Sequence, residues 1–80
     1  MFNNTTGYFN TAIGNQSLYT NSGNYNTAVG CGSLSNNGFG SYNIAVGHMT
    51  LKSNSSGNDN TAIGTNSLIF NLTGSENTAL

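Results

Sequence analysis

The phrase Asn-Thr-Ala-Ile/Val-Gly begins at Asn10, Asn26 and Asn60, returns at Asn43 with Ile in place of Thr, and starts again at Asn77. Successive starts lie 16, 17, 17 and 17 residues apart. A fixed period of this size constrains the fold more than any local propensity, because each copy must be one unit that buries its apolar side against the next. Five residues after each Ile or Val comes a Leu, at Leu18, Leu34, Leu51 and Leu68. A turn signature closes each unit, running Asn-x-x-Gly from Asn37, Asn54 and Asn71 and shortened to Asn21-Ser22-Gly23 in the first. The same signature, Asn-Thr-Thr-Gly from Asn4, precedes the first full copy. The residue missing from the first full unit falls in its turn, where chains tolerate deletions.

Nothing in the unit has helical character. Its Ile and Leu do not recur at three and four residues, and Gly, Asn, Ser and Thr are poor helix formers. Each unit reads as two very short strands, Thr-Ala-Ile/Val and Ser-Leu, with bends at Gly. Gly14, Gly30, Gly47 and Gly64 mark one corner, where φ turns positive or a neighbouring backbone comes close. Gly23, Gly40, Gly57 and Gly74 mark the other.

Two short strands in about 17 residues predict an all-β fold, a β-solenoid of the parallel β-roll type. One unit is one coil, and coils stack about 4.8 Å apart as strands do in a sheet. The chain then forms a single repeat domain over 1–80: a partial coil 1–9, coils 10–25, 26–42, 43–59 and 60–76, and a partial coil 77–80. Like residues stack on like. Ile13, Val29, Val46 and Ile63 are expected as one internal column and Leu18, Leu34, Leu51 and Leu68 as a second. Ala12, Ala28, Ala45 and Ala62 leave room where the coil is narrow. Asn10, Asn26, Asn43, Asn60 and Asn77 are placed to form a side-chain amide ladder, as Asn does in cross-β arrays. The absence of proline suits an unbroken backbone ladder.

Composition limits the classes of function. Lys52, Asp59 and Glu76 are the only charged side chains, with His48 a fourth titratable group. That excludes the basic footprint of a nucleic-acid binder and the charged face of an amphipathic membrane helix. No apolar run approaches the ~18 residues of a membrane-spanning helix, and no signal peptide is recognisable. Membrane insertion by this segment is therefore not expected. Cys31 is the only cysteine, so no internal disulfide can form. Two large aliphatic residues per coil are few for a chain of this length. An oligomer, or a piece of a longer array, is expected.

The spacing Asn-Thr-Ala-Ile-Gly…Ser-Leu…Asn-x-x-Gly resembles the head repeats of trimeric autotransporter adhesins, the YadA-like and haemagglutinin-like families. It resembles still more the repeat tracts of bacteriophage tail fibres and large bacterial surface proteins. The resemblance covers nearly all of residues 4–80. It implies a left-handed β-roll, a homotrimer and an extracellular place on a cell surface or a virion. The function implied is a structural and adhesive fibre segment, with a host-surface glycan as a further partner. The adhesin heads use somewhat shorter coils. End-to-end stacking into a filament is the alternative, since coil ends expose unpaired strand edges. A lesser one is ice binding, through the Thr11, Thr27, Thr61 and Thr78 column that Ile44 interrupts.

Catalytic chemistry is not expected, nor is a cofactor or a metal. Cys31 and His48 follow the corner Gly in neighbouring units, but Asn15 and Thr65 hold the same slot elsewhere. Asp59 and Glu76 stand one period apart, at the spacing of paired carboxylates, yet Phe9, Tyr25 and Tyr42 fill that column in earlier units. Those three aromatics, with Tyr8 and Phe39 nearby, are the better candidates for contact with a partner chain or a sugar. Five Asn-x-Ser/Thr sequons, at Asn3, Asn4, Asn15, Asn54 and Asn71, follow from composition and require no glycan.

Overall fold

A computed structural model describes residues 3–4, as backbone, and residues 7–80. The turn expected from Asn4 includes Thr5 and Thr6, which lie outside the described residues. Every regular element is a strand: β1 (Asn3–Asn4), β2 (Thr11–Ile13), β3 (Thr20–Asn21), β4 (Thr27–Val29), β5 (Asn36–Asn37), β6 (Ile44–Val46), β7 (Thr61–Ile63) and β8 (Thr78–Ala79). They form two parallel sheets, one of order β1-β3-β5 and one of order β2-β4-β6-β7-β8. Pairing joins equivalent residues of successive repeats: Thr11 with Thr27, Thr27 with Ile44, Ile44 with Thr61 and Thr61 with Thr78. Single bridges from Asn36 to Ser53 and from Ser53 to Phe70 carry the smaller sheet through the later coils. The chain is a β-solenoid of about four turns.

One expectation about the interior is overturned. Ala28, Ala45 and Ala62 are fully buried, with Ala12 partly buried beside them, whereas Ile13 is 60% exposed and Ile63 is 43% exposed. Val29 and Val46 are only half-buried. Successive side chains on a strand point to opposite faces. Once Ala28 points inward, Thr27 and Val29 must point outward. The Ile/Val column therefore lies on the outside, beside the Thr column. Leu18, Leu34 and Leu51 are completely buried and pack with the alanines, and Leu68 packs partly buried against the same cluster.

The second strand also lies elsewhere than expected. Ser17-Leu18 and its equivalents sit in turns, and the strand begins two residues later at Thr20 and Asn36. A tight turn precedes it: in the first two coils Ser17 N–H and Oγ–H both donate to the Gly14 carbonyl, at 3.2 and 2.9 Å, and Ser33 repeats this on Gly30. The Leu that follows is left-handed, with φ between 46° and 50° in all four copies. That bend lets Ser and Leu both turn inward, which a straight strand forbids.

Both glycine corners are closely approached by the next coil, and one of them is left-handed as well. Gly30, with φ 125°, occupies a conformation that a side chain rarely adopts. At Gly40 φ is ordinary, but a Cβ would collide with the Gly57 carbonyl of the next coil.

Candidate functional site

The buried part of the coil is built as much from amides as from hydrocarbon. Asn26, Asn43 and Asn60 are fully buried, as are Asn21, Asn37 and Asn54. In the first set, Asn43 N–H and Nδ2 donate to Asn26 Oδ1 at 2.9 and 3.1 Å. Asn60 repeats this on Asn43, and Asn77 on Asn60. Asn10 opens the ladder by accepting from Asn26 N–H at 2.8 Å. In the second set Asn37, Asn54 and Asn71 each donate Nδ2 to the Oδ1 one coil earlier, at 2.6, 2.7 and 3.2 Å.

A shared glycine carbonyl ties the two ladders together. Gly40 O accepts from Asn26 Nδ2 at 2.9 Å and from Asn37 Nδ2 at 2.7 Å. Gly57 O does the same for Asn43 and Asn54, and Gly74 O for Asn60 and Asn71. The Asn and Gly of each Asn-x-x-Gly turn are therefore one hydrogen-bonded unit with the Asn that opens the same coil. In the shortened first turn Gly23 O still accepts from both Asn10 and Asn21. No buried side-chain nitrogen or oxygen among the described residues lacks a partner. This satisfaction makes a polar interior tolerable.

A third ladder, on the outside, was not anticipated. Tyr8 N–H donates to Asn24 Oδ1, Asn24 N–H to Ser41 Oγ, Ser41 N–H to Asn58 Oδ1 and Asn58 N–H to Ser75 Oγ, all between 2.7 and 3.0 Å. The signal was present in sequence, since this position holds only Asn or Ser in four successive units.

The aromatic column directly follows that ladder. Phe9 stacks on Tyr25 and Tyr25 on Tyr42, with centroids 5.0 Å apart in both pairs and planes within 13° and 7° of parallel. All three residues are left-handed, with φ of 57° to 60°, and Asp59 and Glu76 continue the same conformation. Bulky residues seldom adopt it, so the sequence does not announce it. The stacking occupies the ring faces. A sugar could lie flat only on the outer faces of Phe9 and Tyr42, so the column presents mainly ring edges. Phe39 is not part of it and belongs to the turn after β5.

The remaining candidates are separate and open. Cys31 and His48 are exposed on successive coils, where Met49 N–H bonds to Cys31 O and Asn66 N–H to His48 O. Asp59 and Glu76 are likewise exposed. No three His, Cys, Asp or Glu side chains among the described residues gather as metal ligands would. No helix among them is long and apolar enough to cross a membrane. Of the described sequons, Asn54 is enclosed in its ladder, Asn71 is half-buried in the same ladder and Asn15 is exposed.

Two open surfaces remain, one on each sheet. The larger sheet shows Thr11, Thr27, Ile44, Thr61 and Thr78 in one outer column and Ile13, Val29, Val46 and Ile63 in the next, with no charged residue in either. The smaller sheet carries a groove lined by Thr20, Asn36, Gly38, Ser53, Ser55 and Leu72. Compared with protein-family models, with curated proteins and with solved structures, the chain matches none.

Proposed function

We propose that the chain is a non-catalytic, structural and adhesive fibre segment, whose copies associate as a trimer outside the cell, on a cell surface or a virion. The observation that carries this reading is the uncharged outer face of the five-stranded sheet, where Ile13, Ile44 and Ile63 are each more than two-fifths exposed. A row of exposed aliphatic side chains, once joined to further apolar surface, makes an interaction site. The repeat's resemblance to adhesin heads and phage tail fibres supports the same reading and supplies the trimer.

The size of the face says what else must join it. Five strands about 4.8 Å apart, with columns about 7 Å apart, make a strip of roughly 150 Å², well short of the ~800 Å² per partner of a standard interface. The exposed column Phe9, Tyr25 and Tyr42, which immediately precedes the strands, is the apolar surface that extends it. Every added coil contributes the same increment, so association strengthens with coil number.

Light scattering over a dilution series tests the proposal. The wild-type chain should move reversibly toward a trimer as concentration rises, and the double variant Val29→Lys, Val46→Lys should stay monomeric with an unchanged circular dichroism spectrum. A wild-type monomer at every concentration, or a charged variant that still associates, would overturn it. Ice is the second reading of the same face, because Thr hydroxyls and Ile/Val methyls alternate there in register. Its readout is thermal hysteresis in the monomeric protein. Open-ended growth in mass would instead assign assembly to the coil ends.

A further inference from the structure

We infer that the groove on the smaller sheet is a binding site for a neutral oligosaccharide. The inference deepens the adhesive part of the reading above and places sugar contact away from the aromatic column.

The groove encloses about 320 Å³, within the range of small-ligand sites. Two outer columns form it: Thr20, Asn36 and Ser53, and two residues further along, Gly38, Ser55 and Leu72. Between the columns the chain turns Asn37 and Asn54 inward, where their amides are fully paired. Among the described residues the side chains of Thr20, Asn36, Ser53 and Ser55 make no hydrogen bond, whereas Ser35, Asn37 and Asn54 beside them do. Three hydroxyls and one amide thus stand unengaged around one concavity, about 4.8 Å apart from coil to coil. Hydroxyls and amides both donate and accept, and they carry no charge.

The floor and the ends fit the same ligand. Gly38 has no side chain, and a Cβ there would meet the Ser55 carbonyl of the next coil, so the wall at this point is bare backbone. Phe70 continues the Thr20, Asn36, Ser53 column by its bridge to Ser53 and is 75% exposed, and Leu72 closes the other column beside it. Phe39, 76% exposed, follows Gly38 directly. Unlike the rings of Phe9, Tyr25 and Tyr42, neither of these phenylalanines is stacked on another ring among the described residues. An apolar face at the end of a row of free hydroxyls is what a pyranose needs: a ring face to stack and equatorial hydroxyls to pair. A charged sugar or a phosphate would find no counter-charge in this lining.

The test is a titration of the 80-residue chain with maltohexaose, cellohexaose and chitohexaose, read by amide chemical shifts. At least one sugar should bind with a Kd on the order of 1 mM and shift Asn36, Gly38, Ser53 and Ser55, including the Asn36 side-chain amide. The variant Asn36→Val should bind about tenfold more weakly and Phe70→Ala severalfold more weakly, each with a dispersed spectrum that shows it folded. The Val29→Lys, Val46→Lys variant should bind as the wild type does, which separates this site from association through the other sheet. No shift with any of the three sugars, shifts confined to Phe9, Tyr25 and Tyr42, or equal binding by Asn36→Val would overturn the proposal.

Discussion

The repeat carries two aliphatic columns, and they have opposite fates. Leu18, Leu34 and Leu51 are wholly buried, while Ile13, Val29, Val46 and Ile63 lie on the outer face. Both are apolar and both recur once per coil. What separates them is local geometry: the Leu ends a tight turn and bends inward at positive φ, whereas the Ile or Val sits on a straight strand beside an inward Ala. Periodicity identifies columns, but the backbone bend decides which side of the wall each one faces. The Leu column packs inside the coil, and the Ile/Val column faces outward.

That contrast can be broken by substitution. The largest effect should come from the polar wall between the two columns. Asn43→Ala leaves the buried Asn60 N–H without an acceptor and removes one bond each from Asn60 Nδ2, Asn26 Oδ1 and Gly57 O. An unsatisfied buried group costs about 1–3 kcal/mol and each further lost bond about 1 kcal/mol, so urea denaturation should show a loss on the order of 4 kcal/mol, or a chain that no longer folds. Leu34→Ala should cost about 3 kcal/mol in the same assay, the range of a buried Leu truncation. Tyr25→Ala, which loses a stacking partner on each side, should cost about 1 kcal/mol. The smallest effect belongs to Val29→Ala, within about 0.5 kcal/mol for the monomer, as at other surface positions. If Val29→Ala cost as much as Leu34→Ala, the distinction between inner and outer columns would fail.

Much of the architecture was legible before any coordinates. The spacing from Asn10 to Asn77 shows which residues stack, and the recurrent Gly after Ile or Val marks a real corner. The inward side was legible in principle as well. Thr11-Ala12-Ile13 alternates with period two, and an Ala held constant between bulkier, more variable neighbours is the signature of the narrow side. What sequence could not reveal were the left-handed turns at Leu18, at Tyr25 and at Gln16, because none of these residues advertises positive φ. The same conformation recurs at the equivalent position of successive coils, so it belongs to the turn and not to the residue that fills it. The groove escaped notice for a related reason. Thr20, Asn36 and Ser53 are chemically unlike one another, and only the stack makes them neighbours.

The carbonyl shared between two asparagine ladders has a consequence for how such a chain changes length. Each rung meets the next Asn to Asn, while the Asn-to-Gly bonds close each coil on itself in the same way. Excising or duplicating one whole unit therefore rejoins identical partners and leaves every remaining junction intact. A duplication of any other size would set Asn against Gly or Leu at the seam. Recombination between copies is thus filtered by the amides themselves, and the reach of the protein can vary in steps of one coil without redesign of its interior.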